Sequence, residues 1–210
     1  MDSLHHLEEL FAKFPGIGPR QAKRFVYYLL NKSPSYIKEF IQLIEEVKKS
    51  TDECAQCHRI FVSNSNQKSK TALVCSICAD SSRDTSTLMI VARDSDFETV
   101  EKSGAYKGLY FILGGTVPVL DKEPDKRIRL KQLLEEVSEK GSKLKEIILS
   151  LNATPDGEHT ATIVKDALQR LDIAKRNFVA FTVLGRGLST GAELEYVDSE
   201  TIKNALQNRH

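Results

Sequence analysis

The chain has 210 residues, of which 40% are hydrophobic and 28% are charged, and its formal net charge is +1. This composition is typical of a folded protein with one to three small domains, and its apolar runs are too short to span a membrane. The near-zero net charge gives no argument for a nucleic-acid partner. However, six lysines and arginines and no acidic residue lie between Glu9 and Glu39, so any attraction for an anion is concentrated there.

The basic window contains a glycine-rich motif: residues 14–25 read Phe-Pro-Gly-Ile-Gly-Pro-Arg-Gln-Ala-Lys-Arg-Phe. Apolar residues repeat at helical spacing on both sides of it, which predicts two helices joined by a short turn. Pro19 suits the first turn of the second helix, while Gly16 and Gly18 allow backbone angles and close approaches that side chains would block. The backbone amides of such a turn, next to a helix N-terminus, can bind a phosphate without contacting a base.

The polar side of the second predicted helix is basic. Arg20, Lys23, Arg24 and Tyr27 are spaced i, i+3, i+4 and i+7 and lie opposite the apolar stripe. The stretch closely resembles the helix-hairpin-helix DNA-binding motif, and the predicted DNA-binding residues are Gly16, Gly18, Arg20, Lys23 and Arg24. The alternative is a solvated helix face beside an ordinary turn, because such stripes are common. A third helix is predicted to begin at Ser33 and Pro34 and to bury one side, formed by Ile37, Phe40, Ile41 and Ile44.

All four cysteines lie in two C-x2-C pairs, Cys54 with Cys57 and Cys75 with Cys78, with 17 residues between the pairs. Two such turns bring four thiolates into the tetrahedral arrangement that Zn²⁺ prefers, and four thiolates leave no open position for a substrate. We therefore predict one structural zinc ion per chain. Two disulfides or two redox motifs are the alternatives, but the polar residues 1–6 do not resemble a secretory signal, and disulfides are rare in a reducing cytosol. A base-reading finger is disfavoured because the Cys2His2 pattern is missing.

From residue 87 onwards, strand-like and helix-like patterns alternate. Short apolar runs at 88–91, 108–113, 146–150 and 178–182 predict buried strands, and helical periodicity falls between them. The alternation predicts a mostly parallel sheet with helices on both faces, in which ligands bind beyond the carboxyl ends of the strands. Gly114-Gly115 in one of these loops could equally be a simple turn. In another loop, Asp156 fits a helix N-cap and Glu158 the first turn of that helix.

The order of these parts resembles the RecR family of recombination mediator proteins, whose α/β unit is a Toprim domain. The resemblance covers essentially the whole chain and is most specific in the hairpin, in both cysteine pairs and in the runs 101–110, 113–115 and 185–196. It implies an α+β multidomain fold of four parts: a helix-hairpin-helix domain at 1–52, a four-cysteine zinc finger at 53–80, a Toprim domain at 87–182 and a Walker B-like assembly segment at 183–210.

The resemblance also implies how the protein works. The family forms a ring-like oligomer that clamps around DNA and, with RecO and RecF, loads RecA onto gapped single-stranded DNA. For this chain it implies DNA, RecO-like and RecF-like proteins and further copies of the chain as partners, from a dimer to a tetrameric ring, with no membrane and a cytoplasmic place on the nucleoid. The last segment would then pack across subunits, and its predicted assembly residues are Leu188, Glu195, Tyr196 and Asp198. A terminal tail of this composition is, by itself, more typical of a solvated edge.

One departure from the Toprim pattern concerns catalysis. Catalytic Toprim enzymes carry a glutamate at the end of the first strand and a later Asp-x-Asp pair, which together hold Mg²⁺. Here Ala92 stands in place of the glutamate, and the later pair is Asp156 and Glu158, a candidate weak site for a divalent cation. We predict a protein that is not an enzyme and has no catalytic residues, and we expect Ala92→Glu to leave stability intact if Ala92 lies near solvent. The alternative is a Toprim-type nuclease, primase or topoisomerase-like enzyme with an atypical acidic set, in which the glutamate is replaced by Asp94, Asp96 or Glu98.

Overall fold

The computed structural model describes residues 2–63, 73–121, 123–171, 179–185, 187–188, 191 and 193–207. The chain divides into two compact units, one within Met1–Thr51 and Val62–Lys68 and the other within Asp52–Phe61 and Ser69–His210. Phe178 of the fourth predicted strand lies outside the described residues, as do residues 186, 189, 190, 192 and 208–210 of the predicted assembly segment. The predicted division into four parts stays a prediction.

The first unit is helical, with α1 at Ser3–Ala12, α2 at Pro19–Leu30 and α3 at Pro34–Ser50. The helices α1 and α2 form the predicted pair. Their contact is built around the ring of Phe11, whose centroid lies 5.8 Å from that of Phe25, and around the buried side chains of Ala22 and Val26. The apolar stripe of α2 is thus used to hold the hairpin together, which leaves its opposite side free to face solvent.

The third helix begins as the sequence predicts but does not bury its apolar side. The hydroxyl of Ser33 accepts a hydrogen bond from the Tyr36 amide at 3.3 Å, and Pro34 is the first helical residue. Within the described part of the first unit, however, α3 has no extensive packing against α1 or α2. The predicted burial of Phe40, Ile41 and Ile44 is therefore wrong for a single chain. We call the six exposed apolar side chains the apolar face of α3: Tyr36, Phe40, Ile41, Leu43, Ile44 and Val47.

The cysteine pairs lie on short elements. The strands β1 (Thr51–Glu53) and β2 (Ile60–Val62) pair with each other and flank the first pair, and the short helix α4 (Ser76–Ala79) carries Cys78.

A four-stranded parallel sheet follows, with strand order β4-β3-β5-β6. Its strands are β3 (Asp84–Val91), β4 (Gly108–Ile112), β5 (Glu146–Ser150) and β6 (Ala180–Val183). The intervening helices are α5 (Asp94–Ser103), α6 (Leu130–Lys140) and α7 (Pro155–Gln169). Val91 is in register with Ile112 on one side and Ser150 on the other, so the carboxyl ends of the three strands meet at one edge. The predicted α+β multidomain fold with a mostly parallel sheet is confirmed.

Two apolar cores cover the two faces of this sheet. Leu88 and Ile90 of β3 point to the core that α6 and α7 cover, and Met89 and Val91 point to the core that α5 covers. Because residues 88–91 of β3 are buried on both faces, this half of the strand reads as a continuous apolar run, as is usual for parallel strands.

The C-terminal part of the second unit contains a 3₁₀ turn at Leu194–Tyr196 and the helix α8 at Ser199–Gln207. Two more 3₁₀ turns flank α6, at Pro124–Lys126 and Gly141–Lys143. None of the helices in the described part of the chain is long and apolar enough to cross a membrane.

Candidate metal centre and candidate DNA-binding face

The four cysteine sulfurs converge on one point, with all four within 4.8 Å of one another. A tetrahedron with metal–sulfur bonds of about 2.3 Å has edges of about 3.8 Å. The Sγ atoms of Cys57 and Cys75 are 3.7 Å apart, which matches such an edge and is far longer than a disulfide bond of about 2.05 Å. Among the described residues, these side chains are the only cluster of three or more potential metal ligands. The predicted ligand set therefore forms a site that can hold a metal ion.

The first cysteine pair lies in a tight turn between β1 and β2. The Cys54 amide donates to the Arg59 carbonyl at 2.9 Å, and the His58 amide donates to the Cys54 carbonyl at 3.0 Å. This closure requires a left-handed backbone at His58, with φ of 61°, which is uncommon for a residue other than glycine. The turn aims both sulfurs to the same side.

The second cysteine pair approaches the first through its backbone. Cys75 caps the short helix α4, and its amide donates to the Sγ atom of Cys54 at 3.4 Å. The thiols also control one another's ionisation. Hydrogen bonding with Cys57 lowers the pKa of Cys54, whereas the same contact raises the pKa of Cys57, and Cys54 raises the pKa of Cys78. Four thiolates at this spacing repel one another unless a cation neutralises them, so the geometry suits a bound metal ion.

The cysteine module is joined to the carboxyl end of the sheet. The Ile112 amide of the edge strand β4 donates to the Cys57 carbonyl at 2.9 Å, and the Ile60 amide donates to the Asp94 carboxylate at 2.8 Å. Ile77, which lies between the second pair of cysteines, packs into the core under α5. The module therefore covers part of an edge strand whose polar groups would otherwise be open.

A polar cluster that the sequence did not indicate reinforces this junction. The Glu53 carboxylate accepts from Nδ1 of His58 at 2.7 Å and lies 3.3 Å from Nε of Arg129. Gly114 has a φ of 90°, and a Cβ atom there would lie 2.6 Å from the Arg129 guanidinium. Gly114 thus leaves room for the Arg129 side chain, a role that neither a turn signal nor residue spacing could reveal.

The hairpin between α1 and α2 has a defined backbone. Gly16 has a φ of 76°, a conformation that favours glycine, and the Ile17 amide donates to the Phe14 carbonyl at 3.0 Å. Gly18 caps α2 with ordinary angles, and a Cβ atom on it would meet no heavy atom of the described chain within 4 Å. The backbone conformation therefore favours glycine at Gly16, whereas neither the backbone angles nor the packing requires it at Gly18.

The predicted basic residues lie together on the solvent side of α2. The side chains of Arg20, Lys23 and Arg24 are exposed, and none of them forms an ion pair with another described residue. Because Gly18 leaves open space just ahead of these side chains, an anion could approach both the helix N-terminus and the cations. The structure thus brings the five predicted DNA-binding residues onto one hairpin and one helix face.

Comparisons with known proteins decide the family. Models of the Toprim domain and of the RecR C-terminal region match residues 86–177 and 187–210. A protein named recombination protein RecR from Cereibacter sphaeroides is 36% identical over 206 residues, which are 98% of this chain and 95% of that protein. Proteins of the same name from Ruegeria pomeroyi and Lactobacillus helveticus are 34% and 32% identical over 97% of this chain and 93% and 94% of their own lengths. The chain belongs to the RecR family. The resemblance seen in the sequence is confirmed.

The Toprim region of this RecR-family chain has no free acidic cluster at the strand ends among its described residues. Ala92, which stands in place of the glutamate, is only 1% exposed. It does not lie near solvent, so the expectation that Ala92→Glu leaves stability intact does not apply. Asp94 is bonded to the Ile60 amide, and Asp96 accepts from the Arg93 amide at 3.0 Å. Glu98 is exposed on α5.

The later acidic pair lies at the start of α7. Thr154, and not Asp156, caps this helix, through a hydrogen bond from the Gly157 amide at 3.2 Å. Asp156 instead accepts from the Val119 amide at 3.1 Å, so its carboxylate holds the loop before α6. Glu158 is exposed and lines a cavity of about 300 Å³ between the ends of β5 and β6. The two carboxylates stay a prediction as a cation site.

The RecR C-terminal region exposes large apolar side chains. Leu188 and Leu194 are about half exposed or more, and Tyr196 is 80% exposed. Glu195 is also exposed, and its contact with the Tyr196 hydroxyl raises the pKa of Tyr196. Asp198 has a local role, since its carboxylate accepts from the Thr201 amide at 2.9 Å and starts α8. All four predicted assembly residues are thus exposed, and one of them, Asp198, also caps a helix.

Proposed function

We propose that the protein is a non-enzymatic recombination mediator that binds DNA during recombinational repair. The proposal is supported by membership of the RecR family, whose relatives are named recombination proteins, and by the basic hairpin helix. The observation that carries it is the face formed by Arg20, Lys23 and Arg24 at the N-terminal half of α2. These three cations are exposed and have no acidic neighbour in the surrounding sequence, so they can neutralise phosphates.

A triple variant tests this proposal. Changing Arg20, Lys23 and Arg24 together to alanine should weaken binding to all DNA sequences alike, because phosphate contacts carry no sequence information. The slope of log affinity against log salt on duplex DNA should shrink by about 0.9 for each lost contact. Affinity is measured by fluorescence anisotropy over a series of salt concentrations.

The matched control removes the same charge elsewhere. Lys102, Lys131 and Lys165 are exposed on α5, α6 and α7, and their replacement by alanine should leave both affinity and slope unchanged. Equal losses in the two triple variants would show that total charge matters and not this face. Normal binding by a folded Arg20–Lys23–Arg24 variant would reject the assignment.

The metal in the four-cysteine site is, in our proposal, one structural zinc ion per chain. Four sulfur ligands at tetrahedral spacing suit zinc and leave no position for water or substrate. When bound, zinc would supply cross-linking of the two cysteine turns and no chemistry. Cys54, Cys57, Cys75 and Cys78 would hold it, and their local hydrogen bonds would orient them.

Two observations support assembly into a ring. The apolar face of α3 has no extensive partner in the described part of the first unit, and a large exposed apolar surface usually marks an interface. Leu188 and Tyr196 are also exposed, and we take these two side chains near the other end of the sequence as the second apolar surface. We propose that each surface pairs with its counterpart in another copy. Two such isologous contacts per subunit can close a four-membered ring that clamps around DNA.

The proposed role needs no phosphodiester chemistry. Ala92 removes the first metal ligand of catalytic Toprim enzymes, and the nearby Asp94, Asp96 and Asp156 are bonded to backbone amides. No observation on this chain favours the enzymatic alternative. Incubation with labelled DNA and Mg²⁺ should therefore yield no cleavage products.

The remaining parts of the proposal follow the family. The ring would act with RecO-like and RecF-like proteins to load RecA onto gapped or single-stranded DNA, in the cytoplasm and on the nucleoid. Binding measurements between the purified proteins, with and without DNA, test these partnerships.

A further inference from the structure

The second half of α2 exposes two adjacent aromatic side chains. Tyr27 is 46% exposed and Tyr28 is 52% exposed. Tyr27 follows Lys23 and Arg24 by four and three residues, and so continues the basic face by one helical turn, while Tyr28 lies directly beyond Arg24. Phosphate binding alone gives no reason for two large aromatic rings at this position.

A lysine ammonium group lies close to each of the two rings. Nζ of Lys32 lies 4.2 Å from the centroid of the Tyr28 ring, and Nζ of Lys23 lies 5.9 Å from that of Tyr27. Such contacts hold a cation beside an aromatic face. Nζ of Lys32 also lies 5.7 Å from the ring of Tyr36, which belongs to the apolar face of α3 and is not part of the surface formed by Tyr27 and Tyr28. The surface therefore alternates aromatic rings and positive charges.

This alternation matches the needs of a single nucleic-acid strand. Surfaces that bind single strands combine cations, which follow the phosphates, with aromatic rings, on which unpaired bases stack. In duplex DNA the faces of the bases are covered by neighbouring base pairs, so a tyrosine on the surface gains nothing from them. The cations can therefore serve both forms of DNA, whereas the rings can serve only the unpaired form.

A second copy of the chain is a poorer occupant of the same surface. A self-complementary contact through this turn would place Lys23 and Lys32 against the same lysines of the other copy. Like charges at the centre of a contact are unfavourable, and lysine is depleted in the cores of protein interfaces. No acidic residue between Glu9 and Glu39 is present to compensate.

We propose that Tyr27 and Tyr28, each beside a lysine, form a stacking site for unpaired bases, so that the basic face of α2 prefers single-stranded DNA. The inference rests on the proposed DNA-binding function and goes further, because it names the form of DNA that the surface selects. Arg20, Lys23 and Arg24 supply attraction for any DNA backbone, and the two rings supply the preference.

Three DNA probes separate the rings from the charges. They are an oligothymidylate of about 20 nucleotides, which exceeds the usual span of such surfaces, a strand of the same length with abasic sugars throughout, and a duplex of that length. Affinities are measured by fluorescence anisotropy at fixed salt for the full chain and for Tyr27→Ala and Tyr28→Ala. Tyr27→Phe and Tyr28→Phe keep the rings, and Leu120→Ala truncates a side chain that is 92% exposed in the second unit.

The expected result is a selective loss. Each alanine variant should bind oligothymidylate about 5- to 150-fold more weakly, the range that the loss of one stacked base gives. Binding to the abasic strand and to the duplex should stay the same, as should the salt slope, because no charge is removed. The phenylalanine variants and Leu120→Ala should behave like the unaltered protein.

Other results overturn the inference in distinguishable ways. Equal weakening on all three probes would show that the tyrosines only support the hairpin fold, and unchanged binding to oligothymidylate would show that no base stacks there. A change in oligomer mass with no selective loss on oligothymidylate would identify the surface as a contact between copies. Failure of the Arg20–Lys23–Arg24 variant to weaken any probe would instead reject the proposed function itself.

Discussion

Four acidic side chains near the strand ends and the helix starts bind backbone amides. Asp94, Asp96 and Asp156 accept hydrogen bonds of 2.8 to 3.1 Å from amides near the strand ends, and Asp198 does the same before α8. A carboxylate engaged in this way holds a loop or a helix start in place. At the residue scale, a prediction that counts the carboxylates of a sequence motif therefore overstates how many of them are available to hold a divalent cation.

The buried position of Ala92 gives a prediction at this scale. Ala92→Glu should lower the free energy of unfolding by about 2 to 5 kcal/mol. The larger side chain is too big for a closely packed site, and its carboxylate would be buried there without an oppositely charged partner. Thermal and denaturant unfolding measure the loss, and no nuclease activity should appear.

Ala153→Glu is the matched control for this change. Ala153 is exposed in the loop before α7, where a negative charge near a helix N-terminus is tolerated. The free energy of unfolding of Ala153→Glu should therefore stay within about 0.5 kcal/mol of that of the unaltered protein. Unchanged stability of Ala92→Glu would show that the end of β3 opens to solvent.

At the scale of elements, the cysteine module and the sheet behave as one structure. The Cys57 carbonyl accepts from the amide of Ile112 in β4, and Ile77 belongs both to the cysteine cluster and to the core under α5. The salt-bridged Glu53 and Arg129 add a polar contact across the same junction. Loss of the proposed metal ion should therefore destabilise β4 as well as the cysteine module.

The corresponding prediction concerns metal removal. Cys75→Ser should lose about one equivalent of zinc per chain and several kcal/mol of stability, because metal ligation contributes directly to folding in such sites. Hydrogen exchange should rise at the Ile112 amide of β4 more than at the centre of β3. Mass spectrometry of peptides from β4 and from β3 measures the two exchange rates.

Chelation of the unaltered protein, followed by zinc, gives the control. Chelation should reproduce the exchange pattern of Cys75→Ser, and added zinc should restore slow exchange only in the unaltered chain. A metal-free protein that keeps full stability and slow exchange in β4 would mean that the site is not structural.

For the whole molecule, the two exposed apolar surfaces predict how the proposed assembly should dissociate. Ile44→Glu with Val47→Glu places charges on the apolar face of α3, and truncation after Leu184 removes the C-terminal segment while keeping β6. If each surface makes one isologous contact in a tetramer, either change alone should leave dimers, and both together should leave monomers. Light scattering measures the masses, and circular dichroism confirms that each variant is folded.

Leu120→Glu serves as the control for assembly, since Leu120 is highly exposed but belongs to neither surface. It should assemble like the unaltered chain. A folded double-altered chain with the mass of the intact assembly would show that the ring is held by other residues. Smaller species should also bind DNA weakly, because an open assembly cannot clamp.

The sequence alone determined those features that depend on local spacing. Helical periodicity and caps located α1, α2 and α3, and apolar runs located the four strands. The two C-x2-C pairs located the four-cysteine cluster that can hold a metal ion. The order of these parts, read together, also indicated the RecR family. Such features are set by neighbours within a few residues, where the period of the backbone decides which side chains share a face.

Only the tertiary structure decided which of these groups are available. It placed Ala92 in the core and left the apolar face of α3 without an extensive partner in the described part of its own unit. It also brought Glu53 to Arg129 across 76 positions of sequence. It also showed why a glycine occupies position 114: the Arg129 guanidinium leaves no room there for a Cβ atom. Burial and long-range pairing depend on how separate elements pack, and the same local pattern is compatible with several such packings.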